Sequence, residues 1–310
     1  MAPAERLTPR GFLNLNKPTG PTSRDVVDLV ARPLKRARVK VGHAGTLDPL
    51  ASGVLVVAVG AATRLIEQVQ GHSKTYRTVV RLGARSDTLD ADGQVVEVAD
   101  PPIPTVEQVR AALATQVGEI EQIPPQYSAL KVGGRRAYDL ARSGQAVDLA
   151  PRRVRIDRVE LLDYRWPHLQ FEVDCGGGTY IRSIARDVGE ALGCGGLIEV
   201  LIRTRIGPFR LEEAIDPDPD RLTVASIPGL LRPMLEAVAE LPRIALNVEQ
   251  AAAIARGQGL DPSQLGSEAA RLSISGEVAL IGPDPGDLLA LATLDPRTGR
   301  LQPHRVFAGA

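Results

Sequence analysis

The feature that most constrains this chain is a glycine-punctuated loop that runs straight into an unbroken apolar segment. Gly42-His43-Ala44-Gly45-Thr46-Leu47-Asp48-Pro49-Leu50-Ala51-Ser52-Gly53 is followed at once by Val54-Leu55-Val56-Val57-Ala58-Val59. The apolar run predicts a buried strand. The loop before it holds one carboxylate, Asp48, with His43, Thr46 and Pro49 close by. Two readings are open here. One is a tight turn, since Asp-Pro initiates turns and glycine tolerates φ > 0. The other is a rigid strand end that displays a reactive group.

Around this element the chain reads as mixed α and β. Thr22 to about Lys35 predicts a helix, with Thr22 or Ser23 as N-cap and Val26, Val27, Leu29 and Val30 as its apolar face. Tyr76–Leu82 and Gln94–Val98 alternate as strands, joined by an acidic connection from Ser86 to Gly93. That connection, Thr88-x-Asp90-x-Asp92-Gly93, lacks the closing Glu of a calcium loop and predicts a turn rather than a metal site. Pro101-Pro102-Ile103-Pro104 is a stiff linker into a helix over Val106–Gln116. Val154–Leu162 and Leu169–Cys175 predict paired strands, and Thr179–Leu192 a helix after three glycines. Past Gly207 the prolines at 217, 219, 228 and 233 mark a loop-rich junction. Beyond Pro242, a short helix (Val248–Arg256) precedes strands near Val278–Ile281, Leu288–Thr293 and Leu301–Val306.

Bulk properties narrow the function classes. A chain of 310 residues accommodates two domains, or one large domain and a module. No apolar stretch approaches a membrane span, and the first residues do not read as a signal peptide. Cys175 and Cys194 form neither a metal-ligand spacing nor a disulfide framework, which fits a reducing cytoplasm. The net charge of zero hides an asymmetry. Residues 1–210 carry 29 Lys and Arg against 23 Asp and Glu, whereas residues 211–310 carry 8 against 14. Ala31-Arg32-Pro33-Leu34-Lys35-Arg36-Ala37-Arg38-Val39-Lys40 has five basic residues and no acidic one, as a phosphate backbone selects and as a solvated helix end also shows.

Further motifs flank the opening loop: Asn14-Leu15-Asn16-Lys17-Pro18-Thr19-Gly20-Pro21-Thr22-Ser23 upstream, and Gly71-His72-Ser73-Lys74-Thr75-Tyr76-Arg77 downstream. Later come Pro124-Pro125-Gln126-Tyr127-Ser128-Ala129-Leu130-Lys131 and Gly176-Gly177-Gly178-Thr179-Tyr180-Ile181-Arg182-Ser183. In this order and spacing the segments resemble the TruB family of stand-alone tRNA pseudouridine synthases, from about Gly11 to Gly207.

The resemblance implies a chemistry. Pseudouridylation breaks the ribose C1′ to uracil N1 bond, turns the base and rejoins it through C5. The atoms are conserved, so no cofactor and no metal are expected. A carboxylate beside the sugar or base is needed, with a pocket that retains the detached uracil. Asp48 matches the family's catalytic aspartate, and Tyr180-Ile181-Arg182 matches its catalytic arginine motif, Arg182 being the expected partner of Asp48; a guanidinium can hold a carboxylate bidentately, keep it ionised and orient it. Tyr76 matches the tyrosine that stacks on the target base, a contact worth about 1–3 kcal/mol. Tyr180 and Leu201 match residues lining the base pocket. Taken alone, these rings and Leu201 would read as core packing. The counterpart of His43 contacts RNA and helps hold bases that have been flipped out. Lys17 belongs to a segment that braces the active-site loop and is also kept among the substrate contacts. Lys131, Arg135, Arg136 and Arg142 would meet phosphates in an RNA-clasping insertion over about 124–150. Two departures stand out. Leu197 replaces a usual histidine, and Ile202-Arg203 an often doubled arginine, which puts RNA contacts from the helix expected there in doubt.

The expected architecture is an α/β (α+β) protein with the pseudouridine synthase fold, a mainly antiparallel central sheet and a small C-terminal PUA-like module, the last resting on Leu301-x-Pro303-x-Arg305-Val306-Phe307. The domains expected are 1–210 (catalytic), 211–242 (junction) and 243–310 (C-terminal). The implied substrate is uridine 55 in the T-arm of tRNA, acted on by a cytoplasmic monomer without obligatory protein partner, guide RNA or membrane. Two alternatives stay open: a guide-dependent synthase acting on other RNA, and a non-catalytic chaperone that folds tRNA by binding alone.

Overall fold

The computed structural model describes residues 9–127, 149–266, 276–284 and 286–307, together with the backbone of 131–132 and 135–136. In chain order the strands before the junction are β1 (Gly11–Lys17), β2 (Val41–His43), β3 (Ser52–Val59), β4 (Lys74–Leu82), β5 (Ala84–Ser86), β6 (Val95–Glu97) and β7 (Gly118–Gln122). They continue as β8 (Lys131–Val132), β9 (Arg135–Arg136), β10 (Arg152–Arg165), β11 (His168–Cys175), β12 (Gly196–Ile206) and β13 (Phe209–Arg210). Nine of these form the central sheet in the order β1-β3-β12-β4-β11-β10-β7, with β2 on β3 and β13 on β12. Every pairing in that sheet is antiparallel except β12 with β3. The separate ribbon β5–β6 carries the Ser86–Gly93 connection.

The two-residue period of a strand explains why β3 had to be apolar throughout. Val54, Val56 and Ala58 face one core with Phe12, Leu65, Val69 and Phe209. Leu55, Val57 and Val59 face another with Leu13, Leu15, Val26, Val27 and Val30. All six residues from Val54 to Val59 are fully buried. The helix Ser23–Leu34 supplies the second layer, started by a Thr22–Asp25 capping box. A third core lies where the helices Val106–Ala114 and Ile181–Ala191 cover the sheet over Val80, Phe171, Val173 and Ile198.

The C-terminal part is a four-stranded sheet of β14 (Arg243–Ala245), β15 (Val278–Ile281), β16 (Leu288–Leu294) and β17 (Leu301–Val306). β14 is short, runs parallel to β15, and was not foreseen from the sequence. Ala279, Leu288, Leu291 and Phe307 pack into the same core as Phe12 and Val54, so this sheet leans on the back of β1 and β3. The junction folds along the outer edge of β1. Phe12 exchanges backbone hydrogen bonds with Arg232, and Asn14 and Asn16 bond Ile215. That covers an edge which would otherwise be free to pair with another chain.

One expectation is corrected. Leu197 and Ile202 lie on the strand β12, not on a helix, and Leu197 is buried. Among the described residues no helix is long and apolar enough to cross a membrane.

Candidate active site

The Asp48 loop hangs between the ends of β2 and β3 and is held from three sides. From the end of β1, the fully buried Lys17 donates to the carbonyls of Pro18 (2.8 Å), Ala51 (2.6 Å) and Pro49 (3.4 Å). From the first turn of the Ser23–Leu34 helix, Ser23 Oγ donates to Leu47 O (2.9 Å) and accepts from Leu47 N (2.8 Å). From β12, Arg203 donates through Nε to Val54 O (2.8 Å), through Nη2 to Gly45 O (3.1 Å) and through Nη1 to Thr46 O (3.4 Å). Loop carbonyls that a turn would leave to water are thus bonded to buried cations. Gly53 has φ +99°, and a Cβ there would collide with the carbonyl oxygen of Arg203. Only glycine lets β12 come this close.

Across from the loop, the helix Ile181–Ala191 begins at Tyr180. Gln122 on β7 fixes that start by accepting from Tyr180 N (2.8 Å) and donating to Tyr180 O (3.1 Å). Arg182 follows in the first turn, where the helix dipole disfavours a cation. It is buried all the same, because its guanidinium meets two carboxylates. Nη2 lies 2.8 Å from Asp48 Oδ2, and Nη1 lies 3.2 Å from Asp90 Oδ2. It also donates to Thr88 O and Tyr127 O, each at 2.8 Å. The two acids differ in surroundings. The Asp48 side chain is 41% exposed and that of Asp90 7%. Burial raises the Asp90 pKa above the ordinary carboxylate range, against the pull of Thr88 and Arg182.

Asp48 and Arg182 lie on the wall of a cavity of about 340 Å³ that has the size of a small-ligand site. Tyr76 and Leu201 also line it, with Lys74, Arg203 and the glycines at 177 and 178. Tyr76 lies directly opposite Arg203 across β4 and β12. Burial raises the Tyr76 pKa, so the phenol stays protonated through neutral pH. The arrangement can hold a flat, apolar-faced ring against Tyr76 and Leu201 while presenting an oriented carboxylate to it.

The sequence-derived candidates fall into three groups. Asp48, Tyr76, Tyr180, Arg182 and Leu201 come together around the cavity. Lys17 and His43 stand behind it: Lys17 is spent on loop carbonyls, and His43 ends β2 half-buried, its pKa lowered chiefly by burial. The side chains of Lys131, Arg135 and Arg136, and all of Arg142, lie outside the described residues. Sequence reasoning missed Asp90, Lys74 and Arg203. Asp90 was read as part of an acidic turn, yet Leu89 with φ +64° turns its neighbour inward, where Thr88 Oγ1 and Asp92 N bond its Oδ1. The signal for Arg203 was its two-residue spacing from Leu201, which puts both on one face of a strand.

Comparison with known proteins bears on this site. Residues 32–181 match the family model described as TruB family pseudouridylate synthase, N terminal domain. The chain is 43% identical to a tRNA pseudouridine synthase B of Mycobacterium sp. (strain KMS), over 93% of this chain and 97% of that protein. It is 48% identical to a tRNA pseudouridine synthase B of Bacteroides fragilis, over 66% of this chain and 90% of that protein. Among solved structures it resembles a chain of an H/ACA RNP bound to a substrate RNA containing 2′-deoxyuridine. That likeness has TM-score 0.72 and 26% identity, over 98% of this chain and 87% of that one.

Proposed function

The chain belongs to the TruB family of pseudouridylate synthases, and on that premise we propose that it isomerises uridine 55 in the T-arm of tRNA, with Asp48 as the catalytic carboxylate. The single observation that carries the roles is the Asp48–Arg182 pair at 2.8 Å on the wall of the cavity that Tyr76 and Leu201 line. Arg182 aims Asp48, while Lys17, Ser23 and Arg203 keep the loop from moving. Tyr76 stacks on the uracil, and Tyr180 and Leu201 close the pocket around it. His43, neutral at physiological pH, contacts the RNA beside the flipped nucleotide.

The 43% identity to a protein named for tRNA, against 26% to a chain of a ribonucleoprotein, supports tRNA as substrate over an RNA chosen by a guide. On this reading the enzyme is a cytoplasmic monomer that needs no guide RNA or partner protein, and Lys131 with its basic neighbours clasps the RNA. The separate sheet β14–β17 supports dividing the chain into a catalytic part (1–210), a junction (211–242) and a PUA-like module (243–310). The test is tritium release from C5-labelled uridine in a tRNA transcript, with purified protein alone. Release confined to position 55 supports the reading, and none from well-folded protein counts against it.

A further inference from the structure

Lys74 is a buried cation with an unfinished set of contacts. Its Nζ donates to Gln70 O and His72 O, both at 2.7 Å, which uses two of the three donors of an ammonium. The third donor has no acceptor, and the charge has no ion-pair partner, among the described residues. Lys74 lies two residues before Tyr76 on β4, so both belong to one face of the strand. Both line the cavity. Gly177 passes close by: a Cβ there would lie 3.1 Å from Gln70 O, one of the two carbonyls that Lys74 bonds, and 3.9 Å from Nζ. Arg203, the neighbouring cation, has its guanidinium committed to the Asp48 loop. An unpaired charge retained at the floor of a cavity, despite the cost of burial, calls for a ligand that completes it.

We infer that Lys74 touches the substrate, its free N–H donating to a carbonyl oxygen of the target uracil and stabilising the negative charge that gathers there during the reaction. The inference rests on the pseudouridylation reading above, and it holds for either order of events. If the C1′–N1 bond breaks first, its electron pair stays with the base and spreads over O2 and O4. If a nucleophile adds to C6, the C5–C6 π pair moves out to O4. The proton that C5 loses and the one that N1 gains exchange with solvent, and Lys74 keeps its own. Burial and then Arg203 lower the Lys74 pKa to about 8. Arg203 on β12 and Cys175 on β11 act on it directly, while Asp48, Tyr76, Tyr180 and Arg182 line the same cavity; the Cys175 thiol, pushed up to about 11, stays neutral.

The experiment compares wild type with Lys74→Gln and Lys74→Arg by single-turnover tritium release at saturating protein, filter binding of tRNA and thermal melting. Lys74→Gln is expected to bind tRNA within about threefold of wild type and to release tritium about 100-fold more slowly, the cost typical of losing one donor to a developing oxyanion. Lys74→Arg is expected to recover most of the rate. The wild-type rate should fall as the pH rises beyond about 8, and Lys74→Arg should lose that fall because a guanidinium keeps its proton. A wild-type rate from Lys74→Gln would overturn the inference, as would an active Lys74→Arg with an unchanged alkaline fall. If both variants melt early or lose tRNA binding, a wild-type rate that stays flat to about pH 10 overturns it without them. Wild-type protein that releases no tritium at any pH would defeat the functional reading itself.

Discussion

Arg182 binds two carboxylates at once, Asp48 through Nη2 at 2.8 Å and Asp90 through Nη1 at 3.2 Å. The guanidinium fork gives each acid its own nitrogen. Asp90 anchors Arg182 in the interior, and Arg182 in turn presents to the cavity an edge that orients the half-exposed Asp48. The positions of the reactive carboxylate and of the buried acid are therefore linked through one side chain.

Replacing Arg182 should cost both stability and turnover. Arg182→Met leaves Asp90 buried without its cation, and breaking such a pair typically costs about 3–5 kcal/mol. Urea unfolding should show a loss of that order. The double variant Arg182→Met/Asp90→Leu should recover part of it while remaining inactive. Equal stability of wild type and Arg182→Met would show that Asp90 does not depend on the pair.

The raised pKa of Asp90 sets a pH dependence of stability. The folded chain holds this proton to higher pH than the unfolded chain does. The contribution of Asp90 to stability is therefore lost as the pH rises from the ordinary value of 3.8 through the raised one. Between pH 4 and 7, Asp90→Asn should lose less unfolding free energy, or gain more, than wild type. The reverse difference would mean that Arg182 outweighs burial.

Lys17 gives the complementary dependence. Burial, the largest influence, lowers its pKa from 10.5 to about 8. The cost of burying the charge is present in full below about 8 and is lifted as the pH rises towards 10.5, where the unfolded chain also loses the proton. Wild type should thus gain stability relative to Lys17→Met across that window. Lys17→Met should also slow turnover, because three carbonyls around the Asp48 loop lose their donor.

Gly53→Ala tests the approach of β12 to the loop. A side chain at φ +99° is strained, and its Cβ would displace the carbonyl of Arg203. The expected loss is at least about 2 kcal/mol, conformational strain plus the clash. Tritium release should fall further than stability alone explains. A neutral substitution would show that the loop does not need this contact.

Much of the fold was legible because Val54–Val59 is apolar at both parities, and because Thr22 and the prolines punctuate the chain at element ends. The shared core of the C-terminal sheet and β1–β3 was not legible, since hydrophobic pattern does not say which face meets which. In the site, Asp48, Arg182, Tyr76 and Leu201 were found through motif order. Asp90 was hidden in an acidic turn whose direction depends on one left-handed residue, Leu89. Arg203 stood only as half of a departure from a doubled arginine, because its bonds to Gly45, Thr46 and Val54 depend on where β12 passes. Lys74 belongs to the Gly71–Arg77 segment, but nothing in the sequence alone sets its charge apart; its place on the cavity wall does.

The most direct test of the central claim is tritium release from C5-labelled uridine in a tRNA transcript by wild type and Asp48→Asn, with tRNA binding measured alongside. Wild type is expected to release the label without added RNA, metal or cofactor, and Asp48→Asn to release none while binding tRNA as tightly. Release at the wild-type rate by Asp48→Asn would contradict the assignment of Asp48 as the catalytic carboxylate.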